Sequence, residues 1–445
     1  MLGLAPWTAP LVVGVLLAVI FFTAPAKGPW LSAVRLFELA LGARLMVLTI
    51  CFAARGALGI ETVNPDVAGY LSWGRDIAQF LPAVFDIRPI FRAATYDIGF
   101  HYLLGFEIWI FGDDPLTLLS FNAVAGAAAV VALYLLLRMA NTRLPFLVAG
   151  VAAFYPGLVF ISAGDLFKDP WVLLAAFGGL TLAFRAAKTS SRAILWSIGA
   201  GLCFFCLHIT RFYMLPLSLM CLGAAASADA WRRRADLRPW LRRWSVLAVG
   251  LAIGAGVPAL LVQQPSVVSE SMSYLHVFEG QSDAFRAPDG RILRRLQNGT
   301  LASDRPAVGI SRIGADLVRR FYGPYLWIPP RGTSYSLVEG SFWEYLGVPI
   351  WYALLPVGLL AMWCLWARRT DPASAAVLLG CAVTLVLFCI FSISYRQRSS
   401  LPVPFLILAL GLSLGRFRKT ALRRVLLLQT GVVLLLAACY YALLR

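Results

Sequence analysis

Gly99-Phe-His-Tyr-Leu-Leu-Gly-Phe-Glu-Ile-Trp-Ile-Phe-Gly112 is the stretch on which the topology turns. It is apolar, yet it is only 14 residues long and carries His101 and Glu107. A helix needs about 20 predominantly apolar residues to cross a hydrocarbon core of ~30 Å. The run that begins at Pro115 just after it has that length, and this one does not. It therefore reads as an interfacial or re-entrant helix rather than a span.

Working outward, twelve runs are acceptable spans: 8–25, 36–57, 115–137, 144–163, 170–187, 193–209, 212–230, 244–262, 345–366, 373–394, 400–415 and 425–444. Between them lie two long polar stretches, 58–114 and 263–343, and short loops. Composition agrees. Hydrophobic residues are 60% of the 445, charged residues 14%, and mean hydropathy is +0.76. An ordinary soluble domain carries about 25% charged residues, so the expectation is an all-α integral membrane protein, a polytopic bundle of about 12 helices. The eight cysteines all fall in apolar runs, which favours packing over a disulfide framework. Cys203-Phe-Phe-Cys206 has the spacing of a redox motif, but it lies mid-span. The first run, Pro10 to Phe22, lacks a basic leader and reads as a retained helix.

The net charge of +17 invites a nucleic-acid partner, but the distribution of the charge argues against one. With 99–112 kept out of the count of spans, the loops near 26–35, 138–143, 185–193, 232–243, 367–370 and 416–424 share one face. They hold 20 of the 39 Lys+Arg, and the short loops 164–169, 210–211 and 395–399 hold four. Cytoplasmic loops carry such an excess, so 58–114 and 263–343 are expected to face outward. The chain divides accordingly into an N-terminal transmembrane module (1–262), a large outer loop (263–343) and C-terminal transmembrane helices (344–445).

The outward face gathers the unusual polar residues. The first long loop contains Asn64-Pro65-Asp66-Val-Ala-Gly-Tyr70, where Pro and a carboxylate suit a helix start. Asp66 there is either a capping residue or a reactive one. Arg88 and Arg92 follow on an amphipathic piece and could equally snorkel to headgroups. Ser162-Ala-Gly-Asp165-Leu-Phe-Lys168-Asp169-Pro170 places three charges within five residues between two apolar runs. Asp169, before Pro170, suits a helix cap, whereas Asp165 suits one less well. Charges at such depth face a water-filled cavity or a partner. Arg211, and Tyr395-Arg396-Gln-Arg398 before Pro402 and Pro404, put arginine on the outer face, against the positive-inside bias. They read either as anion-binding groups or as interfacial anchors. His276 lies in the Arg- and aromatic-rich loop 263–343, a composition suited to carbohydrate stacking and phosphate pairing, or to a cap on the membrane. The sequence shows no Gly-rich phosphate loop, no metal-ligand His/Cys cluster and no Ser-His-Asp set.

Taken in order, these features resemble the GT-C superfamily of polyprenyl-phosphate-dependent membrane glycosyltransferases. They are Asp66 and Tyr70 in the first loop, juxtamembrane helices ending at Ile-Trp-Ile-Phe-Gly112, a span from Pro115 and a helix ending at Tyr155-Pro156. Then come an acidic loop at Asp165 and a late Tyr395-Arg396-x-Arg398. The superfamily includes protein mannosyltransferases, aminoarabinose transferases and oligosaccharyltransferase catalytic subunits. The chain departs from the pattern in having two apolar runs before the first loop and no Asp-x-Glu pair. It also lacks the first-loop Lys of some members, which leaves Arg88 and Arg92 as substitutes.

The resemblance implies a polyprenyl-phosphate-linked sugar donor and a glycan, lipid or protein acceptor, with transfer at the outer, periplasmic face of a bacterial inner membrane. Asp66 and Asp165 would be the catalytic carboxylates, Asp66 as general base. Arg396, Arg398, Lys168, Arg88 and Arg92 would contact the donor phosphate, and Tyr70, Arg211, Tyr395 and His276 the substrates. A divalent ion, Mg or Mn, at Asp66 and Asp165 is compatible with the pattern but is not required by it. Two other readings stay open at this point: a polymerase or ligase of lipid-linked glycans, and a lipid or glycan transporter. Against the transporter, the sequence shows no internal repeat.

Overall fold

The computed structural model describes residues 29–58, 65–80, 98–189, 192–211, 214–258, 340–391, 399–414 and 419–444. All secondary structure among these is helical. The elements are α1 (Pro29–Leu58), α2 (Pro65–Phe80), α3 (Ile98–Phe111), α4 (Pro115–Met139), α5 (Pro145–Phe154), α6 (Pro156–Ala163) and α7 (Asp169–Lys188). They continue as α8 (Ala193–Thr210), α9 (Met214–Arg232), α10 (Arg238–Leu251), α11 (Gly340–Trp366), α12 (Pro372–Phe391), α13 (Pro402–Ser413) and α14 (Lys419–Leu444). The protein is an integral membrane helical bundle. Among the described residues seven helices are long and apolar enough to span a bilayer, or eight if α5 and α6 form one broken span. Eleven of the twelve apolar runs fall on helices, and the run at 8–25 lies outside the described residues, as does most of the 263–343 loop.

One expectation needs correcting. The run 144–163, read as a single span, is two helices bent by 60° at Tyr155. Pro156 is the cause: it has no N–H to donate, and its ring pushes the preceding residue out of the α region. Tyr155 accordingly takes an extended conformation, φ −64° and ψ 115°.

The break frees carbonyls in an apolar setting, and α1 satisfies them. Arg44 Nη1 donates to Ala153 O at 3.3 Å and to Ala40 O at 2.9 Å within its own helix. Arg55 Nη2 donates to Gly164 O at the far end of α6. Residues 11 apart lie three turns apart on one face of a helix. One stripe of α1 thus reaches both C-terminal ends of the broken pair, where a cation also meets the negative end of each helix dipole. Gly126 of α4 lies where an added Cβ would crowd Ser162 and the Arg44 guanidinium.

The run 99–112 forms the short helix α3. At 1.5 Å per residue its 14 residues reach about 21 Å, short of a bilayer. It pairs with α2 instead, through Gly74 against Leu104 and Ile108, and Gly105 against Ile77. Gly112, with φ +90°, ends α3 in a conformation that glycine adopts without strain. Asp114 then caps α4, its Oδ2 accepting from Thr117 N at 2.8 Å. The neighbouring Asp113 accepts from Arg75 Nε at 2.5 Å and ties α2 to this turn.

Candidate functional site

The loop between α6 and α7 is the centre of the site. Every residue from Ser162 to Pro170 is buried, including Asp165 (3% exposed), Lys168 (8%) and Asp169 (1%). Burying charge is costly unless it is paired and hydrogen-bonded, and here the partners come from distant helices. Arg55 Nη1 lies 3.5 Å from Asp165 Oδ1, and Asp169 is paired with Arg211 at the end of α8. Asp165 Oδ1 also accepts from Leu166 N at 3.0 Å. Asp169 is therefore not the cap its position before Pro170 suggested. It sits in the first turn of α7 and clamps that turn to α8.

The rest of the loop is held through its backbone. Asn122 Nδ2 of α4 donates to Phe167 O at 2.8 Å, and Trp171 Nε1 donates to Asn122 Oδ1 at 2.8 Å. Phe160 lies 6.2 Å from Phe167 on one side and stacks at 6.1 Å on Trp343 of α11 on the other. Four helices thus fix a five-residue turn.

The α2–α3 pair closes over this loop. Lys168 Nζ lies 6.0 Å from the centroid of the Tyr70 ring. Tyr70 meets Phe100 edge-on at 5.2 Å and His101 at 5.4 Å, and Trp73 lies 6.1 Å from His101. Asp66 stands four residues before Tyr70, in the first turn of α2, which puts its backbone on the Tyr70 face. Its side chain lies outside the described residues. Glu107, further along α3, is buried, and desolvation pushes its carboxyl up to about 8.

Of the residues the sequence singled out, the structure gathers Tyr70, Asp165, Lys168 and Arg211 at one end of the bundle. The backbone of Asp66 enters from α2. Arg88, Arg92, His276, Tyr395, Arg396 and Arg398 lie outside the described residues. Sequence reasoning passed over Arg44, Arg55 and Asn122. The signal for the arginines was present, because an intramembrane charge marks a functional or structural partner by default. Among the described residues no group of three His, Cys, Asp or Glu is placed to hold a metal ion, and Asp165 and Asp169 each face a guanidinium.

The sequence matches no protein-family model and no curated protein. Its fold is similar to that of the Archaeoglobus fulgidus oligosaccharyltransferase in the apo form. That likeness has a TM-score of 0.50 and 15% identity, and covers 90% of this chain and 54% of that one. Archaeal oligosaccharyltransferase AglB from Archaeoglobus fulgidus, in complex with an inhibitory peptide and a dolichol-phosphate, is also similar. It gives a TM-score of 0.44 and 16% identity over 88% of this chain and 54% of that one. The chain spans about half the length of these proteins. The likeness is one of fold alone.

Proposed function

We propose that the protein is a membrane glycosyltransferase that moves a sugar from a polyprenyl-phosphate donor to a glycan, lipid or protein acceptor. Transfer takes place at the end of the bundle that carries the 164–169 loop. One observation supports this above the others: Asp165, Lys168 and Asp169 are buried together beneath the helix that begins at Pro65-Asp66. A solvated turn would have no use for guanidinium partners drawn from two other helices. A transporter would place its charged groups at mid-membrane rather than at one end.

In this reading the acceptor hydroxyl or amide attacks the anomeric carbon while the Asp66 carboxylate takes its proton. The bond from that carbon to the phosphate oxygen breaks as the new bond forms, so a single displacement inverts the anomeric centre. The electron pair leaves with the lipid phosphate, whose negative charge Lys168 meets, with Arg396 and Arg398 of the late loop as further partners. Tyr70 positions the sugar beside Lys168, and Asp165, held by Arg55, keeps the loop in register. The Asp66 side chain lies outside the described residues, and no step is assigned to Mg or Mn. The finer topology belongs to the same proposal. It comprises about twelve spans including 8–25, the 58–114 and 263–343 loops facing outward, and a bacterial inner membrane as the location.

The test uses purified protein, a synthetic polyprenyl-phosphate sugar and a set of candidate acceptors. General-base catalysis contributes about 10²–10⁴-fold. Asp66→Asn should therefore lower turnover at least ~10²-fold while leaving binding of undecaprenyl phosphate unchanged. A near-wild-type rate in this variant would remove Asp66 from the mechanism. Failure of the wild type to bind any polyprenyl phosphate would remove the donor class.

A further inference from the structure

At the end of the bundle opposite the 164–169 loop, the C-terminal ends of α4, α7, α9 and α13 meet α10 and the start of α12 around a cavity of about 290 Å³. Its depth is apolar, walled by Leu180, Phe184, Phe405 and Leu408. Its rim is charged: Lys188, Arg232, Arg233 and Arg243 face it, along with Asp229 and Asp371. We infer that this cavity holds the headgroup and upper acyl chain of an anionic phospholipid from the surrounding leaflet.

The charge at the rim favours an anion, and the two carboxylates are already committed. Asp229 accepts from Arg233 Nε at 3.0 Å and from Trp244 Nε1 at 3.1 Å. Asp371 caps α12 through Ser374 N at 3.1 Å and Ser374 Oγ at 2.9 Å, with Arg232 at 3.6 Å. Lys188 donates to the Met139 carbonyl rather than to a carboxylate, and Arg243 has no ion pair among the described residues. Four cations against two carboxylates leave a positive rim, and arginine forks suit a phosphodiester.

Depth then decides between a free anion and a lipid. An inorganic phosphate would use only the rim and leave the Leu180, Phe184, Phe405 and Leu408 wall bare, whereas an amphiphile uses both. The location fits as well. The 20 residues of α7 put Lys188 about 30 Å from Asp169, one hydrocarbon thickness away, at the level where headgroups lie. Basic pockets between membrane helices take such headgroups.

The experiment titrates the purified full chain, in zwitterionic detergent, with dioleoyl phosphatidylglycerol and with dioleoyl phosphatidylcholine, and counts retained lipid by native mass spectrometry. The wild type should prefer phosphatidylglycerol roughly tenfold or more, a preference that shrinks as salt rises. The double variant R232Q/R243Q should lose that preference. R368Q/R369Q, at the same end but outside the cavity, should keep it. Excess inorganic phosphate should not displace the lipid. Equal affinity for the two lipids, retention of neither, displacement by phosphate, or an unaltered preference in R232Q/R243Q would each overturn the assignment. The wild-type comparison decides the matter even if the double variant does not fold.

Discussion

The two ends of the bundle handle charge in opposite ways. At the 164–169 end, Arg55, Asp165, Asp169 and Arg211 are all buried and bound in two pairs that join α1 to the α6–α7 loop and α7 to α8. At the other end the pairs are open: the Arg232 and Asp371 side chains are 57% and 32% exposed, and Arg233, just past the end of α9, pairs with Asp229 four residues before it. Buried pairs are expensive to form and severe to break, while exposed ones contribute little. The first end therefore spends its charge on holding a turn in place. The second keeps charge available to whatever meets the surface.

Four measurements test that contrast. The largest effect is all-or-none and asks which end faces out. In a background with the native cysteines replaced, Cys at 237 should be protected from an impermeant thiol reagent in intact cells. Cys at 290 or 338 should be labelled. External labelling at 237 would invert the assignment of the two ends.

Next comes the buried pair. Arg55→Ala leaves Asp165 buried without its cation and should cost about 3–5 kcal/mol, read as a large fall in Tm in detergent. Arg55→Met with Asp165→Leu should recover much of that loss, and a double-mutant cycle measures the coupling. Equal losses in the single and double variants would mean that Arg55 acts only through the Gly164 carbonyl.

The third effect is a pH dependence from Glu107, whose folded value near 8 lies above its ordinary value of 4.5. Below the ordinary value both folded and unfolded chains hold the proton. Above it the unfolded chain releases the proton and the folded one keeps it, so stability falls with rising pH until Glu107 titrates near 8, then levels off. Glu107→Gln should flatten that slope across the window. An unchanged slope would place the titrating group elsewhere. The smallest effect is expected at the open end, where Arg232→Gln should change stability by less than about 1 kcal/mol. A loss matching that of Arg55→Ala would erase the distinction between the ends.

Much of this architecture was legible because membrane spans announce themselves by length. Eleven apolar runs fall on helices, and the 14 residues of 98–111 form a short helix packed against α2. The bend at Tyr155 was written in Pro156, but the run 144–163 is apolar throughout, and hydropathy averages do not register a missing N–H. The loop at Asp165 stood out for a simple reason: three charges between two apolar runs have no bland explanation. Its supports did not stand out. Arg44 and Arg55 are diluted by the leucines and alanines of α1, and their partners lie 109 residues away along the chain. Pairing at that distance leaves no periodic trace in either segment. Asn122 is likewise one polar residue in a long apolar helix, and its role appears only once Phe167 and Trp171 are seen beside it.

The two arginines of α1 also bear on how the protein is made. Arg44 and Arg55 leave the ribosome well before Ala153 and Gly164, the carbonyls they will hold. At about 5–20 residues per second, the 109 intervening residues take roughly 5–20 s to synthesise. For that interval Arg44, at the middle of α1, lacks the Ala153 carbonyl, and an ionised arginine there costs about 2.5–3.5 kcal/mol at the centre of a bilayer. Arg55, at the end of the span, lacks Gly164 and Asp165. Stable insertion of α1 therefore depends on a segment translated much later. The helix must wait at a protein–lipid boundary, or sit shallowly, until α5 and α6 arrive. Membrane entry in this protein is then not a procession of helices in chain order. It is completed when the broken pair docks and takes the two charges out of contact with lipid.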